Sequence, residues 1–309
     1  MNREKAVNTL VDANINLLKF YEMCLKTMRE CGPILKQGFL DKTHIHYGKE
    51  QSSRSNIHTD MDICISDHII NSVLENYVSC GLSQELTIFS EENGLYNTYE
   101  CIDGHLTQLG ASTNWVETGL MLLIDPICGS IPFSRGVADF CTTCSLLVNS
   151  YLLFGVVYDP MCDNLFSAFK GKGAYLNGKS ILPAESRGIS RAYVSIEHKV
   201  FRECFSEHLH SLIQKIMRLR VAGTCGLEMA YVASGRLDGL IKKDQAAYDY
   251  LPGLAILLES SEHTKDNKAK VIDRNRIEIN WDTKFDGSKL SFVCASKSIV
   301  KDLISVFSM

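Results

Sequence analysis

The sequence has little net charge, few prolines and no long hydrophobic run. Its 309 residues carry a formal net charge of −4 and include six prolines. A slightly acidic chain offers no basic surface for a nucleic acid polymer, and no stretch approaches the roughly eighteen consecutive apolar residues of a membrane span. The first residues also lack the apolar core of a signal peptide. We therefore expect a compact cytoplasmic protein that binds neither nucleic acids nor membranes.

The twelve cysteines do not have the spacing of a disulfide framework. Most of them are scattered singly, and without a secretory signal they are expected to be reduced thiols. Cys141 and Cys144 are close in sequence, but they lie in a β-like run, where residues three apart point to opposite faces. This pair therefore predicts ordinary core thiols and not a structural zinc site.

A chain of this length suits one large domain or two coupled domains. Strands and turns alternate from about 143 to 176, which predicts an antiparallel meander. Residues 95–119 have the composition of a polar connection. The composition changes just before residue 190, and beyond it strands alternate with helices. These patterns predict an N-terminal α+β domain over 1–188 and a C-terminal α/β domain over 189–309.

The stretch from Leu122 to Ser130 is the one around which the other motifs are organised. Its apolar residues break at Asp125 and then turn through Gly129 and Ser130, as a buried strand does when it ends in a tight loop. This geometry brings an acidic side chain, a backbone carbonyl and several backbone N–H groups to one point. Metal and phosphate sites are commonly built in this way.

Three more acidic residues lie at the ends of predicted elements. Asp62 begins a helix just after Thr59, and Glu91 follows a short strand. Asp249 opens a second helix. Asp62 could equally belong to a capping box with Thr59, and Asp249 could simply complement a helix macrodipole. Together with Asp125 they offer the carboxylate oxygens that Mg²⁺ prefers, and bound divalent ions can activate water against a phosphate ester.

Short motifs follow one another along the chain in a recognisable order. They are Thr59-Asp60-Met61-Asp62, Ser90-Glu91-Glu92, Asp125-Pro126-Ile127-Cys128-Gly129-Ser130, the segments 154–158 and 170–178, Gly223-Thr224, Ala233-Ser234-Gly235 and Tyr248-Asp249. This series resembles the inositol monophosphatase family, within the superfamily of magnesium-dependent, lithium-sensitive phosphatases. The resemblance implies a layered α-β-α-β-α sandwich with the site between an α+β half and an α/β half. It also implies a homodimer.

The resemblance implies two cation positions. Glu91, Asp125 and the carbonyl group of Ile127 would hold a first magnesium or manganese ion. Asp125, the residue at Cys128 and Asp249 would hold a second ion. Both positions would serve a small phosphorylated metabolite as the substrate.

Further roles follow from the same resemblance. Asp62 and the hydroxyl group of Ser130 would orient the attacking water. The backbone N–H groups of Gly129 and Ser130 would hold phosphate oxygens. The part of the substrate beyond the phosphate would meet Gly223, Thr224 and Cys225.

Three positions depart from the family pattern. The family has Asp where this chain has Cys128, so a hard oxygen ligand is replaced by a soft sulfur and the second magnesium ion is weakened or lost. Ser130 stands where the family has Thr, and the hydroxyl group survives. Lys242 lies seven residues before Asp249, where inositol-specific members carry a glutamate. A lysine there favours a substrate with a second anionic group, although it could also be a solvated strand end.

The sequence thus predicts a metal-dependent phosphomonoesterase that acts on a sugar, cyclitol or nucleotide phosphate. A second hypothesis is a family member that binds a phosphorylated metabolite without efficient hydrolysis, because Cys128 replaces a metal ligand. A third is a cysteine-nucleophile enzyme that uses Cys128, since nearby backbone N–H groups can lower the pKa of a thiol. No histidine near Cys128 in sequence offers the base that such a nucleophile requires.

Overall fold

The structure of the protein is a computed structural model, which describes residues 2–41, 45–47, 57–185, 187–204, 206–262, 264 and 268–307. The described elements form five layers: helices, a nine-stranded sheet, a middle pair of helices, a six-stranded sheet and further helices. The predicted α-β-α-β-α sandwich is therefore confirmed. Within these ranges no helix combines the length and the apolar character needed to cross a bilayer.

The first layer contains two long helices and a two-stranded ribbon. Its elements are α1 (Asn2–Asp41), β1 (Ile45–Tyr47), β2 (Ile57–Thr59) and α2 (Asp60–Asn76). The helices bury one apolar face each against the large sheet, and the rings of Phe20 and Tyr77 meet edge to face at 5.4 Å. This packing fixes the start of α2 at the end of the sheet where the site lies.

The nine-stranded sheet forms the second layer. Its strands are β3 (Leu86–Ser90), β4 (Tyr96–Ile102), β5 (His105–Ser112), β6 (Leu120–Cys128), β7 (Cys141–Val148), β8 (Tyr151–Asp159), β9 (Asn164–Phe169), β10 (Gly173–Leu176) and β11 (Lys179–Ser180). They lie in the order β11-β10-β9-β8-β7-β6-β3-β4-β5. Only the β3–β6 pair in this sheet is parallel, and all nine residues of β6 are buried.

Two tight hairpins in this sheet have clear local causes. The turn between β7 and β8 is Asn149-Ser150, and both residues have positive φ angles of 51° and 68°, as a type I′ turn requires. This confirms the predicted meander. The polar connection predicted over 95–119 is wrong, because β4 and β5 form a hairpin there. Its turn, Asp103-Gly104, is itself a strong type I′ signal in the sequence.

The second sheet and the remaining helices complete the sandwich. The strands are β12 (Tyr193–Ile196), β13 (Arg218–Arg220), β14 (Gly239–Gln245), β15 (Ala269–Asp273), β16 (Glu278–Ile279) and β17 (Leu290–Ser296). The helices after β6 are α3 (Ser130–Ser134), α4 (His198–Glu203), α5 (Glu207–Lys215), α6 (Cys225–Ala233), α7 (Ala247–Glu262) and α8 (Val300–Ile304). The sheet order is β13-β12-β14-β17-β15-β16.

Helices α6 and α7 form the middle layer and pack against both sheets. One continuous apolar cluster joins side chains of β7–β9, of these two helices and of β14, β15 and β17. Both helices are apolar on nearly every side, as expected for helices enclosed between layers. Because the two sheets share this core, the predicted division at residue 188 stays a prediction.

The glycine-rich turn between β9 and β10 is a structural clamp. Glu259 of α7 is 2% exposed, and its carboxylate accepts hydrogen bonds from the N–H groups of Gly171 and Gly173, both at 2.8 Å. The N–H groups that might suggest a phosphate loop are thus occupied by the chain's own carboxylate. They hold the carboxyl-terminal half of α7 to the sheet.

Helix α7 approaches the large sheet closely at Gly155. A Cβ atom at this position would lie 2.3 Å from the carbonyl oxygen of Pro252 and 2.8 Å from the Cβ of Ala255. Backbone and Cβ atoms cannot move aside as a flexible side chain can. The absence of a side chain at Gly155 therefore sets the depth at which α7 lies on β8.

We expect Gly155→Ala to lower the free energy of unfolding by about 1–3 kcal/mol, because the added methyl group overpacks the interface. The matched control is Gly110→Ala, in a strand where a Cβ atom would meet nothing within 4 Å. Urea denaturation followed by circular dichroism measures both. Equal effects in the two variants would contradict this account of the α7–β8 contact.

Candidate active site at the end of the central strand

The start of α2 combines a helix cap with a candidate catalytic carboxylate. Asp62 is 1% exposed, and its Oδ2 accepts hydrogen bonds from the N–H and hydroxyl groups of Thr59, each at 2.6 Å. The hydroxyl group of Ser130 donates to the other oxygen, Oδ1, at 3.3 Å. The predicted alternatives are therefore compatible, because the capping box occupies one oxygen and leaves the second directed at Ser130.

The chain reverses sharply where β6 ends. Gly129 has a φ of 105°, and a Cβ atom there would lie 2.7 Å from the Cγ2 of Thr224 and 2.9 Å from the carbonyl oxygen of Asp139. Glycine is required both by the φ angle and by this close approach. The turn brings Ser130, whose hydroxyl also lies 3.0 Å from the carbonyl oxygen of Ile127, against the loop that precedes α6.

Glu91 is placed beside Asp125 by the parallel pairing of β3 and β6. The N–H group of Glu91 donates to the carbonyl of Ile124 at 3.2 Å, so the two strands end side by side. The hydroxyl group of Tyr248 donates to Oε1 of Glu91 at 3.4 Å. The ring of Tyr248 in turn stacks on Phe89, with centroids 5.5 Å apart. The carboxylate of Glu91 is thus held from the large sheet and from α7.

Asp249 reaches the same point from the first turn of α7. Pro252 has no N–H group to donate to the carbonyl of Tyr248, and the hydroxyl of Thr143 on β7 lies 3.5 Å from that carbonyl instead. This contact links the first turn of α7 to the large sheet. The Oδ2 of Asp249 accepts a hydrogen bond from the N–H of Ala246 at 3.1 Å.

These elements bring Asp125, Cys128 and Asp249 together. One ligand atom from each lies within 4.8 Å of the other two. Asp125 is 1% exposed, and neither of its carboxylate oxygens has a hydrogen-bond partner among the residues that the structure describes. Such an orphaned buried carboxylate is costly unless a cation or a proton compensates it. The carboxylate oxygens of Asp125 and Asp249 therefore fit a hard divalent cation.

The pKa shifts of the carboxyl groups in this cluster agree with a cation-binding site. Burial, followed by the charges of Asp249 and Glu92, raises the pKa of Glu91 to about 8. Burial also raises the pKa of Asp249 to about 6 and that of Asp125 well above its ordinary value. Each upward shift means that burial destabilises the ionised carboxylate more than the surrounding protein groups stabilise it. A bound cation would supply the compensation and displace the protons.

The thiol of Cys128 is fully enclosed. Its side chain is paired across the β6–β7 ladder with Cys141, and it is 3% exposed. A hydrogen bond to Cys141 and burial raise the pKa of Cys128 well above its ordinary value. The hypothesis of a cysteine nucleophile is disfavoured by this environment, because a reactive cysteine needs a thiolate that substrate can reach.

The predicted substrate loop lies next to this cluster. Gly223 has a φ of 91°, and Thr224 and Cys225 are 0% and 1% exposed. The hydroxyl group of Thr224 has no hydrogen-bond partner within the described part of the chain. Its methyl group contacts Gly129, so this loop and the phosphate-side turn are adjacent. The assignment of the three residues to substrate binding stays a prediction.

Lys242 does not lie at a solvated strand end, which was one of the two alternatives that the sequence left open. The side chain is buried, and its Nζ lies 2.6 Å from Oε2 of Glu228 and 3.8 Å from Oε2 of Glu197. Burial alone would lower the pKa of Lys242, but the charge of Glu228 outweighs it and the net shift is upward. The solvated strand end is therefore wrong, because this lysine is a buried partner of two carboxylates. Its contact with substrate stays a prediction.

Glu228 is the centre of a network that the sequence analysis missed. Oε1 of Glu228 accepts a hydrogen bond from Ser195 and lies 3.7 Å from the Nε of Arg220. Arg220 also contacts Asp139 at 2.6 Å. The sequence did contain one sign of this network. Helix α6 is otherwise apolar and carries a single glutamate, and a charge on such a helix needs a buried partner.

We expect Lys242→Met to lower the free energy of unfolding by about 3–5 kcal/mol, because it leaves Glu228 buried without its partner charge. The control is Lys243→Met, whose lysine pairs with Glu203 and Asp244 nearer the surface and should cost less than about 1 kcal/mol. Denaturant titration measures both losses. A Lys242 variant as stable as the Lys243 variant would contradict the pairing.

The raised carboxyl pKa values predict a pH dependence for the metal-stripped protein. The pKa of Glu91 rises from 4.5 to about 8 and that of Asp249 from 3.8 to about 6, so the folded state holds protons that the unfolded chain releases. This contribution to stability is present at low pH and is lost as the pH rises towards 8.

We therefore expect the melting temperature in a chelator to fall between about pH 5 and 8 more steeply than it does with saturating Mn²⁺. Glu91→Gln should flatten the decline, because it removes one of the carboxyl groups that titrate in this window. Differential scanning calorimetry across this range tests the expectation. A metal-stripped protein that gains stability as the pH rises would overturn it.

Comparisons with known proteins assign the chain to a family. The family model described as inositol monophosphatase family matches residues 16–305. Inositol monophosphatase 2 of Solanum lycopersicum is 27% identical over 263 residues, which are 82% of this chain and 90% of that protein. The fructose-1,6-bisphosphatase of Pyrococcus furiosus is 27% identical over 221 residues, which are 67% of this chain and 79% of that protein.

Solved structures have the same fold. The extragenic suppressor protein suhB from Bartonella henselae superposes with a TM-score of 0.72 at 17% identity, over 93% of this chain and 97% of that one. A Thermotoga maritima IMPase gives a TM-score of 0.69 at 21% identity, over 92% and 94% of the two chains. The matched motifs, the five layers and the family model agree, and the chain belongs to the inositol monophosphatase family, a family of phosphatases.

Proposed function

We propose that this protein hydrolyses the phosphate monoester of a small metabolite, a sugar, cyclitol or nucleotide phosphate, with a bound divalent cation. The observation that carries the proposal is the orphaned, buried carboxylate of Asp125 beside Glu91 and Asp249, with the Asp62–Ser130 pair opening onto the same turn. A protein that only binds a phosphate would not need this acidic set. We assign the cation to magnesium or manganese, because the donors are oxygens.

Glu91, Asp125 and the carbonyl group of Ile127 would hold this cation. When bound, it supplies electrostatic stabilisation of the phosphate oxygens and lowers the pKa of a nearby water. The backbone at Gly129 and Ser130 would position the phosphate group. The remaining chemistry depends on how Asp62 and Ser130 handle the proton of the attacking water.

Asp62 and Ser130 are arranged to remove that proton. Thr59 occupies Oδ2 of Asp62 with two short hydrogen bonds, so only Oδ1 is directed at Ser130. A water that donates to the Oγ of Ser130 can pass its proton through the hydroxyl to Oδ1. Burial raises the pKa of Asp62, which makes its carboxylate a better base.

The buried network around Glu228 has an unusual charge pattern. The ammonium of Lys242 is balanced by Glu228 and Glu197, and the guanidinium of Arg220 lies between Asp139 and Glu228 at the more exposed end of this network. An anionic substrate group would therefore meet Arg220 more readily than Lys242. Homodimer formation and a cytoplasmic location remain expectations from the sequence.

A second candidate function is supported by Cys128. If the loss of an oxygen ligand has removed efficient hydrolysis, the protein would bind a phosphorylated metabolite or use it in other chemistry. The turn at Gly129 and the Asp62–Ser130 pair would then be retained for binding only. Phosphate release decides between the two functions.

The experiment is a phosphate-release assay with inositol, sugar and nucleotide monophosphates in Mg²⁺ or Mn²⁺. We expect turnover by the wild type and by Asp67→Asn, which alters an exposed carboxylate of the same helix. Asp62→Asn should reduce kcat by roughly 10²–10⁴-fold, the range of a general base. The amide oxygen of asparagine can still accept from Thr59, so the cap and the fold should survive.

Ser130 provides a second, graded test. Ser130→Thr keeps the hydroxyl and should keep most of the activity, whereas Ser130→Ala should lose it to an extent comparable with Asp62→Asn. A silent wild type beside an active Cys128→Asp variant would support the binding function instead. If both were silent on every substrate, the hydrolase proposal would be overturned.

A further inference from the structure

The second cation position has a donor set that magnesium does not prefer. Asp125 and Asp249 contribute carboxylate oxygens, and Cys128 contributes a sulfur in place of a third oxygen. Mg²⁺ requires near-octahedral oxygen ligands at about 2.0–2.1 Å. Thiolate ligands instead select ions such as Zn²⁺. We propose that Asp125, Cys128 and Asp249 form a site for a thiolate-binding divalent ion of the Zn²⁺ class, so that the protein works with two chemically different cations.

The three ligand atoms are near enough to one another to form a tetrahedral site after side-chain movement. With Zn–S bonds of about 2.3 Å and Zn–O bonds of about 2.0–2.2 Å, ligand atoms lie roughly 3.3–3.7 Å apart. The three candidate ligand atoms lie within 4.8 Å of one another, so modest side-chain movement closes the site. Three protein ligands leave one position open for a water or a phosphate oxygen, as in catalytic zinc sites.

The surroundings of Cys128 suit a sulfur ligand. Cys128 lies opposite Cys141 on the β6–β7 ladder, is 3% exposed and belongs to the apolar cluster of the middle layer. An enclosed, largely apolar shell of this kind limits the access of solvent to a metal ligand. Cys128 cannot turn towards solvent, because its side chain is enclosed by β7 and α6.

Asp125 gives a separate reason to expect an ion in this cluster. Both of its oxygens are buried and unpartnered within the described segments, although Cys128 and Asp249 lie beside them. The site therefore contains a carboxylate that its protein neighbours do not satisfy. When the ion binds, the S–H bond of Cys128 breaks, a sulfur–metal bond forms and the proton passes to solvent.

This inference rests on the proposed function for the role of the site in phosphate chemistry, but its test does not depend on turnover. Co²⁺ serves as the probe, because a cobalt–thiolate bond gives a charge-transfer absorption that carboxylate ligands do not. The full-length protein is stripped with a chelator, kept reduced and titrated with Co²⁺. We expect a saturable charge-transfer band that Zn²⁺ abolishes and that excess Mg²⁺ leaves in place.

Two variants assign the sulfur. Cys128→Ser should eliminate the band and weaken Zn²⁺ binding, measured by calorimetry, by at least about 100-fold. Cys141→Ser should keep the band, because its sulfur is a neighbour and not a ligand. Cys128→Asp should bind Mg²⁺ at this position without the band. Thermal melts confirm that each variant is folded.

The outcomes separate the two proposals. A cobalt–thiolate band without phosphate release would retain the site and overturn the hydrolase proposal for the substrates tested. Phosphate release with Mg²⁺ alone and no band in the wild type would retain the hydrolase and overturn this inference. A band that persists in Cys128→Ser would also overturn it, because another cysteine would then be the ligand.

Discussion

The structure depends on one electrostatic constraint, the collection of buried negative charge at the end of β6. Asp125 reaches this point on β6, whose nine residues are all buried, and Glu91 and Asp249 approach it from β3 and α7. Without a cation or protons these carboxylates repel one another in a medium of low polarity. The layers on both sides hold them together despite that cost, so the fold itself maintains a site that requires a positive ligand.

Contacts in the surrounding elements hold the chain in place around the end of β6. Gly129 allows the turn after β6 to approach Thr224, and the missing N–H group of Pro252 leaves a carbonyl of α7 to face β7. Glu259 fastens the other half of α7 through the glycine-rich turn. The middle layer is therefore positioned by several polar contacts as well as by apolar packing, and rigid elements of this kind are what a site of fixed geometry needs.

Two positions depart from the family pattern that the sequence leads us to expect, and the architecture is retained. At Cys128 a sulfur stands where that pattern has an oxygen ligand, close to Asp125 and Asp249. At Lys242 the chain buries an ammonium group, and its Nζ lies 2.6 Å from Oε2 of Glu228. The second change is compensated inside the protein, because a lone buried charge is costly. The metal that we propose for Cys128 would compensate the first.

The sequence by itself determined several local features: the buried strand that carries Asp125, the cap that contains Asp62, the antiparallel meander and the order of motifs that indicates the five-layer fold. These depend on short-range rules of turns, caps and periodicity. The hairpin at Asp103 was readable by the same rules and was missed. Only the tertiary structure decided that Lys242 pairs with Glu228, and that Glu228 also contacts Ser195 and Arg220. Such contacts join residues far apart in the chain, and burial and charge pairing are properties of the packed molecule.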